Sequence, residues 1–164
     1  MSADFKYFPR LFEEVIEEVR KEYDSIYPLF EYGTYLELIE KCTVKDNNQQ
    51  SKYPLVWLVW DQNENQQKWI EPYIYTISPR VFICSLAERD NNTEERYTAP
   101  LESVLYPIFE ILLSELSYHP NIVLGSDFAY PVNDHPFWLN NTEGNFDHLS
   151  AIEIKFENLQ MFKN

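Results

Sequence analysis

Glycine is scarce in this 164-residue chain, which holds only Gly33, Gly125 and Gly144. No two of them stand close enough to build the glycine-rich loops that cradle phosphates, and no G-x-S-x-G elbow is present. Cysteine is limited to Cys42 and Cys84. Without a C-x-x-C pair, neither a zinc ribbon nor a dithiol redox motif can be written. Cys84, set among Val81, Phe82, Ile83 and Leu86, reads as a small hydrophobe before it reads as a nucleophile. His119, His135 and His148 show no metal-ligand spacing of the HExxH or HxxxH kind. Basic residues are few as well: 13 against 27 acidic ones, a formal net charge of −14. Nucleic-acid readers draw their affinity from clustered Lys and Arg, and no window here clusters them. The longest strongly apolar run, Tyr53 to Trp60, is too short to span a bilayer. The opening MSADFKYFPRLFEE has no basic region followed by an apolar one, so no secretory signal is expected and synthesis in a cytoplasm is.

What the chain does have is core material: 45% hydrophobic and 16% aromatic residues, enough for one core, so residues 1–164 are expected to form one domain. Phe8, Leu11, Phe12, Val15, Ile16, Val19 and Tyr23 recur at helical spacing against Glu13, Glu14, Glu17 and Glu18, which predicts an amphipathic N-terminal helix within residues 1–28. Pro9 suits its first turn and Tyr27-Pro28 its end. Residues 30–116 should hold the core strands and a second helix. FEYGTYLELIEKCT (30–43) fits either a helix or an irregular strand, and its place before a polar loop favours strand. LVWLVW (55–60) and Arg80 to Leu86 are apolar on both faces, as strands covered on two sides are. Asn92 and Glu95 have capping-box spacing. Leu101, Val104, Leu105, Ile108, Phe109, Leu112, Leu113 and Leu116 then make a helical stripe, which Pro107 should bend from its solvent side. Residues 118–148 lack periodicity and are rich in chain breakers, so a packed excursion or docking segment is expected. Ile152, Ile154 and Phe156 alternate as a closing strand over 149–162, with a phase slip that points to a bulge near Asn158.

No constellation of catalytic residues emerges. Asp134-His135 and Asp147-His148 could pair as acid and base, but neighbours along an extended chain point apart, and a polar turn role is favoured. Exposed glutamates on helix faces read as solvated charge. Trp57 and Trp60 belong to a core strand. Trp69, Tyr73 and Trp138 stand in loop-like settings, where interface anchoring and plain loop packing weigh equally. The polar stretch from Asp61 to Lys68 reads as an exposed arm.

EYGTYLELI, KYPLVWLVWD, RVFICSLAERDNNTEERY, the VLYPIFEILL helix and FDHLSAIEIKFENLQM follow one another in an order that resembles phage tail-terminator or tail-completion proteins. The nearest likeness is to versions from crAss-like and other phages of gut Bacteroidetes. It covers most of the chain from Phe30 onward, with Thr93 to Tyr97, Leu105-Tyr106-Pro107 and Ala151 to Ile154 as its most specific pieces. These are structural patterns with no catalytic motif among them, and the helix over Phe8 to Tyr23 falls outside the shared pattern.

The resemblance implies an α+β fold, a mixed β-sheet with two main helices packed on one side. It implies a homo-oligomeric ring at the neck or tail of a virion, stacked on other virion proteins, with DNA passing through as non-specific cargo. No reaction, cofactor, metal or membrane is implied. A head-to-tail ring needs two different patches on each subunit. The residues expected at such contacts are Asp61, Trp69, Arg89, Glu94, Glu95, Arg96 and Trp138, four of them from the charged corner Arg89 to Arg96. The competing expectation is a small acidic interaction protein, of immunity or DNA-mimic type, that binds a basic partner. By itself the surplus of acid reads first as solubility; it also fits a basic partner, or a channel wall that repels phosphate and lets DNA slide past.

Overall fold

The computed structural model describes residues 7–43, 49–61, 68–71, 73–88, 91–138 and 147–162. Helix α1 spans Tyr7–Tyr23 and buries Phe8, Leu11, Phe12, Val15, Ile16 and Val19, the face that the spacing selects. Strand β1, Leu29–Gly33, leads directly into a short helix α2, Tyr35–Lys41. The strand expected over 30–43 is therefore half helix. Thr34 ends the strand, because its hydroxyl accepts from the Glu37 amide at 3.2 Å while the Glu37 carboxylate accepts from the Thr34 amide at 2.6 Å. This reciprocal cap starts a helix where apolar spacing alone cannot decide. Gly33 makes room for it, since a Cβ there would run into the Glu37 carboxylate and the Trp57 ring.

Strands β2 (Leu55–Val59), β3 (Lys68–Glu71), β4 (Ile74–Ile77) and β5 (Arg80–Leu86) follow. Next come the single turn α3 (Thr93–Arg96), a widened π-type stretch over Tyr97–Leu105 and helix α4 (Tyr106–Tyr118). The chain finishes with β6 (Ile122–Val123), β7 (Val132–Trp138), β8 (Leu149–Lys155) and β9 (Leu159–Phe162). One sheet has the order β1-β2-β5-β8-β7, and a second has β3-β4-β9-β6. In the first sheet only β1 and β2 pair in parallel, so the sheet is mixed.

The two long helices lie on the same face of that sheet, which makes the fold α+β as expected. Val56, Leu58, Trp60, Val81, Ile83, Ile152 and Ile154 meet α1 and α4 there, together with Tyr75, Ile77, Leu159 and Met161 of the second sheet. On the opposite face Leu55, Trp57, Val59, Phe82, Cys84 and Ala151 pack with Leu38 of α2, Tyr53 and Trp138. Both faces of LVWLVW are thus dry, which is why that run does not alternate.

The Asn92 box forms as its spacing predicts, with the Glu95 amide donating to Asn92 at 2.9 Å and the Asn92 amide to the Glu95 carboxylate at 2.7 Å. The helical stripe is divided differently. Ala99, just before Pro100, takes extended angles (φ −135°, ψ 82°), as residues before proline prefer. The Tyr106 amide then reaches back five residues to the Leu101 carbonyl. Pro107 falls in the first turn of α4, directly after the π-type stretch, inside helical backbone that continues through Leu105 and Tyr106.

Two further expectations are corrected. Within residues 118–148, expected to be irregular, β6 joins the second sheet and β7 the first, and the described part is a packed excursion that carries two strands. Its aromatics hold it down: Phe128 stacks on Phe156 with ring centres 6.0 Å apart, and Tyr130 sits 6.0 Å from Phe109. The phase slip near Asn158 is not a bulge within one strand. Asn158 adopts φ 57° at the point where the chain leaves the first sheet, as β8, and enters the second, as β9.

Candidate functional site

The corner expected to carry contacts turns inward. Arg96 closes α3 and is only 1% exposed. Its guanidinium donates to the carbonyls of Pro136 (3.0 Å), Leu149 (3.4 Å) and Glu88 (3.3 Å). Arg96 is thus corrected from a surface contact to an internal tie that joins α3 to β7, β8 and the end of β5. Glu94 and Glu95 are exposed, although the Glu95 carboxylate is engaged in the cap. Arg89 lies outside the described residues. Trp138 is 7% exposed and stacks on Phe82 with centroids 5.2 Å apart, so it is a core residue of a strand and not a loop anchor. Asp61 is half-buried just beyond β2. Trp69 lies on β3, a strand and not a loop, opposite Tyr75. Residues 62–67 of the polar arm lie outside the described residues.

Asp147 is the centre of a buried polar cluster that the sequence reading treated as a turn. It is 1% exposed, and its Oδ2 accepts from the Tyr53 hydroxyl at 2.5 Å and from Lys52 Nζ at 3.2 Å. The same ammonium donates to the carbonyls of Lys41 (3.2 Å), the last residue of α2, and Thr43 (3.3 Å), just beyond it. The Asp147 amide donates to the Cys42 carbonyl at 2.9 Å. Burial, with the Asp147 charge adding to it, pushes the Cys42 thiol up to about 11, against the opposing pull of its bond with Tyr53 and the charges of Lys52 and Lys41. Such a thiol is almost wholly protonated near neutrality and is a poor nucleophile. The cluster joins Cys, Tyr, Asp and Lys, but its chemistry is that of a clasp.

The acid–base pairings do not form. Asp134 accepts from the Tyr106 hydroxyl, while His135, its neighbour on β7, stands opposite Ala151. His119 bonds instead to Glu14 of α1, at 3.0 Å. Among the described residues no group of three or more His, Cys, Asp or Glu could hold a metal ion. No helix among them is long and apolar enough to cross a membrane.

A groove of about 300 Å³ opens between the end of α1, the turn into β1 and the π-type stretch, lined by Tyr23, Tyr27, Pro28, Pro54, Val104 and Ile108. Its walls are fixed. The Tyr27 hydroxyl donates to the Ser51 carbonyl at 3.1 Å, the Tyr27 amide to Ser25 Oγ at 3.1 Å, and Arg20 Nε to the Pro28 carbonyl at 2.9 Å. No sequence motif announces this groove, because its residues come from three separate stretches. The Tyr and Pro content of the α1–β1 turn was its one visible sign.

Comparison of the chain with protein-family models and with curated protein sequences found no match.

Proposed function

We propose that the chain is a tail-terminator-like structural subunit of a phage virion. It assembles into a ring at the neck or tail, joins neighbouring tail proteins, and lets DNA pass through without reading it. The observation that carries this reading is the character of the exposed surface. Among the described residues, the exposed large hydrophobics are Tyr23, Ile26, Tyr32, Leu36, Tyr73, Tyr97, Tyr118 and Tyr130, six of the eight being tyrosine. Tyrosine is enriched where proteins meet, since it brings large contact area and a hydroxyl at little entropic cost. These side chains sit on different elements, with Tyr118 at the end of α4, Tyr73 before β4 and Leu36 on α2, each more than 70% exposed. Separate patches are what a head-to-tail ring requires. Among the described residues β1 pairs on one side only, at the end of the first sheet.

The net charge of −14 supports the same role, because an acidic wall does not hold a passing duplex. It also favours a second reading, a small acidic module that binds a basic protein, with exposed Glu13, Glu14, Glu17 and Glu18 on α1 as its face. Native mass spectrometry over a range of concentrations, with negative-stain imaging alone and on particles, separates the two. Closed rings are the expected result. A persistent monomer that never joins particles rules the ring out and leaves the acidic module.

A further inference from the structure

The first sheet ends on one side in β7 and on the other in β1, and the two edges are built differently. β7 carries Pro136, which has no N–H to offer, and its pairing shifts register between His135 and Trp138. Both devices keep a foreign strand from joining an edge. β1 has neither. In its parallel register on β2, the Leu29 amide donates to the Pro54 carbonyl at 3.0 Å and the Gly33 carbonyl accepts from the Trp60 amide at 2.8 Å. That register turns the N–H and C=O of Leu29, Glu31 and Gly33 towards β2. The N–H and C=O of Phe30 and Tyr32 therefore point away from the sheet, and among the described residues they have no partner. The Phe30 ring packs on Phe12 of α1, with Tyr32 beside it at 6.3 Å and 42% exposed, while Glu31 points to the opposite face.

Charge selects what can pair there. The chain carries −14 overall, yet this edge is locally balanced. Glu31 is bound to Lys41 of α2 at 2.7 Å. On the other face Arg10, Glu13, Glu17 and Arg20 fall on one stripe of α1, and Arg20 ties that stripe to the carbonyl of Pro28, the residue before β1, at 2.9 Å. A basic or an acidic segment would meet no surplus of opposite charge along this edge. A second copy brings the same balanced surface. We propose that β1 is a self-pairing edge, through which two copies of this chain join antiparallel about a two-fold axis at Glu31. Phe30 of one copy then stands opposite Tyr32 of the other and exchanges N–H···O=C bonds with it in both directions, so every outward group of both strands is used. The aromatic side chains meet across the strands on the α1 face. On the opposite face Glu31 meets its own copy, and the two Lys41 ammonium groups offset the like charges. The contact is isologous and closes on a pair, whereas a ring needs head-to-tail patches, so it does not rest on the ring reading.

The test is a disulfide on the axis. Glu31→Cys in the whole chain sets two thiols opposite each other at a non-hydrogen-bonded position, where Cα atoms stand about 4.5 Å apart, within the span of a disulfide. Under mild oxidation it should form a covalent dimer at least about tenfold faster than Leu36→Cys, an exposed position off the axis, once each rate is divided by that thiol's rate with a small disulfide reagent. The native Cys42 and Cys84 are buried and do not compete. Tyr32→Pro removes an outward N–H and none of the bonds to β2, so amide protection at Glu31 and Gly33 should persist. The same change should raise the dimer dissociation constant in sedimentation equilibrium about tenfold, and slow the Glu31→Cys cross-link when added to it. A chain still monomeric at about a millimolar, a Glu31→Cys cross-link no faster than that of Leu36→Cys, or one that Tyr32→Pro leaves as fast would each overturn the proposal. Rings whose subunits Glu31→Cys does not join uphold the ring and overturn the self-pairing. Cross-linked pairs without rings do the reverse.

Discussion

Arg96 shows how far a residue's role can lie from its type. Set in the polar run from Arg89 to Arg96, it reads as a surface charge, yet its three carbonyl acceptors come from Glu88, Pro136 and Leu149. Nothing local in the sequence reports partners 40 and 53 positions away. Arg96→Ala should cost on the order of 3 kcal/mol in urea unfolding, because buried carbonyls lose charged donors, whereas Glu94→Ala should be close to neutral. Arg96→Lys should fall between them, since an ammonium cannot span the fork. Cys42 gives a pH-dependent counterpart. Its thiol ordinarily titrates at 9.0 and is held up to about 11 in the fold. The folded state binds that proton more tightly than the unfolded one, so the contribution is complete below pH 9 and lost as pH rises through 11. Urea midpoints should fall across this window, and Cys42→Ala should flatten the fall. An unchanged slope in the variant would contradict the assignment. Buried Tyr53, also raised by burial above all, keeps the remaining slope from vanishing.

Elements were legible where a periodic pattern and a chemical stop coincided. α1 carries both, and so does the Asn92 box, which forms with the expected partners. Asn92→Ala should therefore cost about 1 kcal/mol, read as a lower unfolding midpoint and faster amide exchange at Glu95. Where only periodicity was used, the reading faltered. Residues 30–43 fit two templates, and the deciding signal was Thr34-x-x-Glu37, a capping box in plain sight. Thr34→Ala should fray α2 and leave β1 intact, which exchange rates over Leu36 to Lys41 would resolve. The stripe from Leu101 to Leu116 was visible as a buried face, but its π-type start was not. That start follows from the extended Ala99 before Pro100, a backbone event with no hydrophobic signature. The groove was illegible for a different reason: it exists only once α1, two strand ends and the π-type stretch have met.

At the scale of the whole molecule, the apolar runs specified covered strands and left open which sheet each would join. The division into two sheets turns on Ser78-Pro79 and Asn158, the two places where the chain steps between them. The buried clasp depends on the same assembly, since Asp147 meets Lys52 and Tyr53 across more than ninety residues. Asp147→Ala should destabilise by about 2 kcal/mol, by leaving the Tyr53 hydroxyl without its acceptor and the half-buried Lys52 ammonium without its counter-charge, and calorimetry would measure it. β4 and β5 run on into each other, as do β8 and β9, and the two continuous stretches pair with one another from Ile74 opposite Phe162 to Leu86 opposite Leu149. The Phe156 amide, donating to the Pro79 carbonyl at 2.9 Å, bridges the bend. β8 lies inside one sheet and β9 inside the other. During translation, therefore, neither sheet can close until residues 149–162 have emerged, and β5 and β7 wait as open edges for one late strand. A nascent chain stalled before Leu149 would expose both, and unpaired edges of this kind invite pairing with other chains until synthesis passes that point.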